Sequence, residues 1–103
     1  MPKLFRPFDP KVVEKEFLAI PINDRSKLIS VMTAHEREEA GPIKIQTYGG
    51  GISCIRHISG RYQDRCLFAE TADDLVILTV YKKETQEIPQ HILERAQSRL
   101  KSI

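Results

Sequence analysis

An α+β domain is what this sequence predicts, and three patterns predict it. Apolar residues recur at helical steps between Val13 and His35, three short β-rich segments with turn signals between them follow from residue 52, and a last helical stripe begins after Pro89. The order is strand, helix, helix, three-strand meander, helix. It implies helices packed on one face of a small, largely antiparallel sheet. The 103 residues make one domain, 1–103. A domain of that size buries roughly two-thirds of its unfolded surface, enough for one modest core.

Lys3-Leu4-Phe5-Arg6-Pro7-Phe8 reads as a short strand, and Pro7 confines it to an edge or a strand end. Asp9 then caps a helix whose first position is Pro10. Val13, Phe17 and Ile20 form its apolar stripe, and Pro21 stops it. Asn23 or Asp24 is suited to cap a second helix with Leu28, Val31, Met32 and His35 on one face, ending at Gly41-Pro42. Residues 42–51 connect to the sheet through Gly49-Gly50-Gly51. No Lys-Ser/Thr and no helix follows these glycines, which argues against a phosphate-binding loop and for a flexible entry. Strands are expected at about 52–58, 61–69 and 75–82. Ser59-Gly60 is a tight-turn signal, and Ala72-Asp73-Asp74 separates the last pair. Leu75-Val76-Ile77-Leu78-Thr79-Val80 is apolar at both parities, as in a strand covered on both sides. In the final helix Ile92, Leu93, Ala96 and Leu100 face inward, with Glu94, Arg95, Arg99 and Lys101 opposite.

Hydrophobic residues are 41% and charged residues 29% of the chain, with net charge +2. That excess alone does not call for a nucleic-acid partner. The distribution is more informative. From residue 44 to 65, Lys44, Arg56, Arg61 and Arg65 stand against a single acid, Asp64. Cys54 and Cys66 read as buried thiols of a reducing compartment, although one disulfide is formally open to them. No cysteine or histidine spacing suits zinc, and no cofactor is expected. No apolar run approaches 18 residues and no N-terminal apolar h-region exists. The expectation is a cytoplasmic protein without membrane insertion.

A two-residue turn at Ser59-Gly60 would pair Ile58 with Arg61, Arg56 with Gln63, and Cys54 with Arg65. Cross-strand partners share a face, so Arg56, Arg61 and Arg65 are expected together on one side. Three guanidiniums repel one another unless acids or an anion compensate. Their forked donors suit phosphate oxygens, so an RNA backbone is one natural compensator. A solvated face carrying arginines for solubility is the other reading.

Gly60-Arg61-Tyr62-Gln63-Asp64-Arg65, then residues 75–89 from Leu75 through Tyr81-Lys82-Lys83 to Pro89, then Glu94-Arg95-Ala96-Gln97-Ser98-Arg99-Leu100, together resemble the HigB-like, phage-related branch of the RelE/ParE toxin superfamily. The resemblance covers residues 52–102; the first half agrees in element order. It implies a RelE-like fold: an N-terminal strand and helical hairpin packed on a small, mainly antiparallel sheet, with a C-terminal helix. It implies the toxin of a type II toxin–antitoxin system, a ribosome-dependent messenger-RNA endonuclease silenced by a cognate antitoxin with a helix-turn-helix domain. By position, Arg56 matches the arginine that ends the first hairpin strand, Arg61 and Arg65 the hairpin arginines, and Tyr81, Lys82 and Lys83 the aromatic-Lys-Lys segment; Arg56, Arg65, Tyr81 and Lys82 are the expected catalytic residues, and Arg61, Lys83 and, from the basic run, Lys44 the expected RNA contacts. Some relatives carry a histidine just before the aromatic-Lys-Lys segment, where this chain has Thr79 and Val80.

Cleavage of this kind requires attack by the 2′-hydroxyl on the adjacent phosphorus, stabilisation of the added negative charge and protonation of the leaving 5′-oxygen. Arg56, Arg65 and either Lys82 or Lys83 suit the charge. Tyr81 can exchange a proton, stack on a base or simply fill the sheet. His57 alternates away from Arg56 and reads as structural. His35 and His91 read as surface or interface residues. Two other readings stay open: a ParE-type gyrase poison with the same fold, and a non-catalytic RNA- or protein-binding module.

Overall fold

The first helix forms where Asp9 and Pro10 place it. In the computed structural model, which describes residues 3–38, 45–83 and 87–103, the Asp9 carboxylate accepts the Lys11 and Val12 amides and helix α1 spans Pro10–Leu18. Strand β1, Phe5–Pro7, precedes it. Helix α2 runs Ile22–Glu36 and starts after Pro21 with no side-chain cap. The expected cap at Asn23 or Asp24 is therefore corrected: both residues lie inside the helix, and Asp24 turns to Lys82. The helix end expected at Gly41-Pro42 lies outside the described residues.

Strands β2 (Ile45–Tyr48), β3 (Ile52–Ser59), β4 (Tyr62–Glu70) and β5 (Leu75–Lys83), then helix α3 (Gln90–Lys101), complete the chain. The sheet order is β1-β5-β4-β3-β2, with β1 parallel to β5 and every other pair antiparallel. This is a compact α+β domain with a mainly antiparallel five-strand sheet. Strand β2 replaces the expected connection. The three glycines are its hairpin link to β3, and Gly50 and Gly51 adopt φ of 80° and 84°, which glycine reaches without a Cβ clash.

The helices cover both faces, not one. Val13, Ile20, Leu28 and Met32 of the helical hairpin pack on Ile55, Cys66, Phe68, Leu75, Ile77 and Val80. On the opposite face Ile92 and Ala96 of α3 pack on Ile52, Cys54, Leu67, Ala69, Val76, Leu78 and Tyr81. The doubly apolar β5 is the sequence's trace of this sandwich. His35 is half-buried against the Phe5 and Phe68 rings, at centroid distances of 6.0 and 5.8 Å, instead of standing at the surface.

Two local details set which side chains face which layer. Ser59 pairs with Tyr62, so the turn residues are Gly60 and Arg61, with Gly60 at φ 59°. Glycine at the first central position is what a type II′ turn requires. The expected register is thereby corrected: Arg56 opposes Arg65, Ile58 opposes Gln63, and Cys54 opposes Leu67. The second detail is a bulge in β5. Leu67 pairs with Thr79 and Phe68 with Ile77, leaving Leu78 as an extra residue. Without it, Tyr81 would share the parity of Leu75 and Ile77 and point at α1 and α2. With it, Tyr81 points to the α3 side.

Beyond Ile77, β1 no longer covers β5. Glu16 of α1 reaches that edge, its Oε1 accepting from the Thr79 hydroxyl (2.9 Å) and the Val80 amide (3.2 Å). Arg99 of α3 donates to Glu16 Oε2 (2.7 Å) and to the Leu78 carbonyl (2.9 Å), and Arg95 donates to Thr79 Oγ1 (2.9 Å). Arg95 and Arg99, expected on the outer face of α3, thus tie the two helical layers together around the sheet edge.

Candidate anion-binding site on the α3 face

Strand alternation and the observed register bring eight side chains to one end of the α3 face: Gln46 and Tyr48, Cys54 and Arg56, Gln63 and Arg65, Tyr81 and Lys83. Arg56 and Arg65 are direct cross-strand partners, and Tyr81 opposes Arg65 from β5. The Gln63 carboxamide oxygen accepts from Arg65 Nη2 at 2.6 Å and from Arg56 Nη1 at 3.4 Å. Tyr48 donates to Gln46 at 2.9 Å.

Burial grades this cluster. Arg65 is 0% exposed and Tyr81 8%. Arg56 is half-buried and Lys83 exposed. Arg56 Nε is buried with no hydrogen-bond partner among the described residues, and the Tyr81 hydroxyl lies beside the Arg65 guanidinium. Burial pushes the Tyr81 hydroxyl up, against the pull of the Arg65 charge, so it stays protonated throughout the neutral range. Burial likewise pushes the Cys54 thiol up to about 11, opposed by Arg65 and Arg56, and raises Tyr48. Cys54 is a neutral group under the guanidiniums. Cys66 lies on the other face, and both thiols are free.

The opposite face of the same strands is built differently. Lys82 forms an ion pair with Asp24 of α2 and is the cross-strand partner of Asp64. Asp64 is fully buried, neither carboxylate oxygen has a hydrogen-bond partner among the described residues, and burial raises its carboxyl from the ordinary value, opposed first by Lys82. The hydrogen bond to Asp24 raises Lys82. The Tyr62 ring has Lys82 Nζ at 4.9 Å and the Arg61 guanidinium at 5.4 Å from its centroid.

Of the residues expected at one site, Arg56, Arg65, Tyr81 and Lys83 do share an end of one face. Lys82 is on the other face, because strand alternation separates it from Tyr81 and the β5 bulge turns Tyr81 toward the arginines. Arg61 sits in the exposed turn, outside the strand. Arg65 is sealed from solvent, so the expected open patch of arginines is corrected to one half-exposed guanidinium above a buried one. Lys44 lies outside the described residues. His57 faces away from Arg56 as expected, beside Asp64. Sequence reasoning missed Gln63 and Tyr48. Tyr48 could have been placed only with β2 recognised, since its parity follows from pairing with Ile52.

Among the described residues no group of three or more His, Cys, Asp or Glu is arranged to hold a metal ion. No helix among them is long and apolar enough to cross a membrane. No protein-family model matches the chain, and no curated protein matches it.

Proposed function

We propose that this chain is the toxin of a type II toxin–antitoxin pair, a HigB-like member of the RelE/ParE superfamily that cuts messenger RNA on the ribosome in the cytoplasm. The observation that carries the reading is the placement of Arg56, whose Nε has no hydrogen-bond partner among the described residues, and the protonated Tyr81 hydroxyl around a buried Arg65. The resemblance over residues 52–102 supports the same reading.

In the proposed reaction the 2′-oxygen of the substrate bonds to the adjacent phosphorus, the phosphorus–O5′ bond breaks, the 2′-hydroxyl loses its proton and the 5′-oxygen gains one. Arg56 and Lys83 meet the charge that grows on the phosphoryl oxygens. Tyr81 holds its proton and is suited to donate a hydrogen bond, not to act as the base. Arg65 does not reach solvent; its charge acts from beneath, where low polarisability strengthens it. Lys82 falls outside the catalytic set. An antitoxin segment that is acidic or amphipathic would cover the arginine face.

The sealed Arg65 favours one competing reading, a module that binds RNA or protein without cutting. Expression in cells with mapping of RNA 5′ ends separates the two. Fresh ends inside coding regions, lost in Arg56→Ala and reduced at least tenfold in Tyr81→Phe, support the nuclease. Normal growth with unchanged RNA ends excludes it, and double-strand DNA breaks would place the chain with gyrase poisons instead.

A further inference from the structure

We infer that the corner between α1 and α2 is an interface on which a second copy of this chain docks about a twofold axis, with Glu14 of each copy facing Arg25 of the other. The inference is independent of the RNA reading, because this corner and the α3 face lie on opposite sides of the sheet. A groove lies between α1, the end of β1 and the first turn of α2. Pro7, Pro10, Val13 and Phe17 give it apolar walls. It holds about 360 Å³, more than ten times the ~30 Å³ share of one water, so a side chain fits it. Leu18 stands at its rim and is 59% exposed. Ile22, at the start of α2, is 68% exposed. Large apolar side chains left open beside an apolar groove mark a surface that another molecule covers.

The charges choose the occupant. The groove carries one acid and one base, Glu14 from α1 and Arg25 from α2. Arg25 Nε donates to the Ile20 carbonyl at 3.3 Å, and among the described residues neither Glu14 nor Arg25 joins an ion pair. A polyanion, or a peptide of a single sign, would meet one of the two as a like charge. A second copy presents the same two residues reversed. In an isologous contact residue i meets j and j meets i, so one twofold axis makes two Glu14–Arg25 pairs. The same axis sets each Leu18 against the partner's groove. Acid beside base and side chain beside groove are both self-complementary, which a twofold contact requires.

The test is analytical ultracentrifugation of the full chain over a range of concentrations, with circular dichroism to check the fold of each variant. Wild type is expected to pass from the monomer mass to twice that mass as concentration rises. Leu18→Lys places a cation at the C-terminal end of α1, where the helix dipole tolerates it. It is expected to weaken the dimer about a hundredfold, because both copies lose an apolar contact at once. Glu14→Arg and Arg25→Glu alone are each expected to weaken it about tenfold, since two ion pairs become two like-charge contacts. The double variant is expected to return to within about threefold of wild type, a rescue that arises only if the two residues meet across the axis. Leu18→Lys decides the matter alone if a charge variant does not fold. Wild type at the monomer mass up to millimolar concentration overturns the inference and leaves the groove to an unlike partner. A dimer indifferent to all of these variants overturns it as well, as does a double variant no tighter than the weaker single one.

Discussion

The β3–β4 hairpin carries charge on both faces, and the two faces treat it in opposite ways. On the α3 face Arg56 and Arg65 share the carboxamide oxygen of Gln63, with two phenols and a thiol close to the guanidiniums. On the α2 face Lys82 meets two carboxylates, one of them fully buried. The second arrangement joins α2 to the sheet. The first ties β3 to β4 through one amide oxygen between two guanidiniums. Two contrasting charge environments can thus sit on adjacent residues of β4, Asp64 and Arg65, separated only by the alternation of side chains.

The register that follows the β5 bulge decides which residue joins which face, so shifting it is the harshest way to break the contrast. Inserting one alanine between Thr79 and Val80 moves the rest of β5 by one residue, turning Lys82 toward the apolar α3 layer and Tyr81 toward Asp64. The expected result is loss of cooperative unfolding, read by circular dichroism during a urea titration. An insertion variant with a normal transition would show that this register does not set the two faces.

A smaller effect comes from the buried guanidinium itself. Arg65→Ala leaves a cavity and strips Gln63 of its closest donor, which costs about 3–5 kcal/mol by analogy with other large-to-small core changes. Arg65→Met fills the space without charge and is expected to recover most of that loss, because a buried charge adds little net stability over an apolar group of similar volume. Denaturant unfolding of the two variants checks this. Equal losses in both would mean that Arg65 stabilises the fold chiefly through its charge.

The mildest change sharpens the α2 side. Because the folded-state carboxyl of Asp64 is raised above its ordinary 3.8, the folded state holds that proton longer than the unfolded state. Its contribution favours folding at low pH and declines as pH rises through the ordinary value and the raised one. Asp64→Asn is therefore expected to raise Tm modestly at pH 7, with the gain disappearing below about pH 4. A Tm that falls at pH 7 would mean that attraction to Lys82 outweighs burial.

Element order was legible because each helix had a physical signal at its start or along its stripe: Asp9-Pro10, the spacing of Leu28 and Met32, Pro89 before Ile92. Strand β2 was not legible, since four mostly exposed residues give no alternation against a core. Same-face placement of Arg56 and Arg65 survived a misplaced turn because the true register differs by two residues, which preserves parity. Arg61 did not survive it, because the same shift moved it from the strand into the turn. That Tyr81 and Lys82 face opposite sides follows from strand alternation and was legible; which of them joins the arginines was hidden. The bulge that selects their faces contains Leu78 and Thr79, with no glycine or proline to announce it. Burial of Arg65 depends on what packs around it in three dimensions, which no local pattern records.

The Glu16 bridge has a consequence for how this chain survives in a crowded solution. Leu75–Val80 is uncharged, rich in branched residues and free of proline, the composition of segments that seed cross-β stacking when their edge is open. Here β1 occupies that edge at residues 75–77, and the Glu16 carboxylate engages the next backbone donor at Val80 while Arg99 engages the Leu78 carbonyl. Ion-paired side chains thereby do for this edge what a further strand does elsewhere, denying a second molecule the template on which fibrils grow.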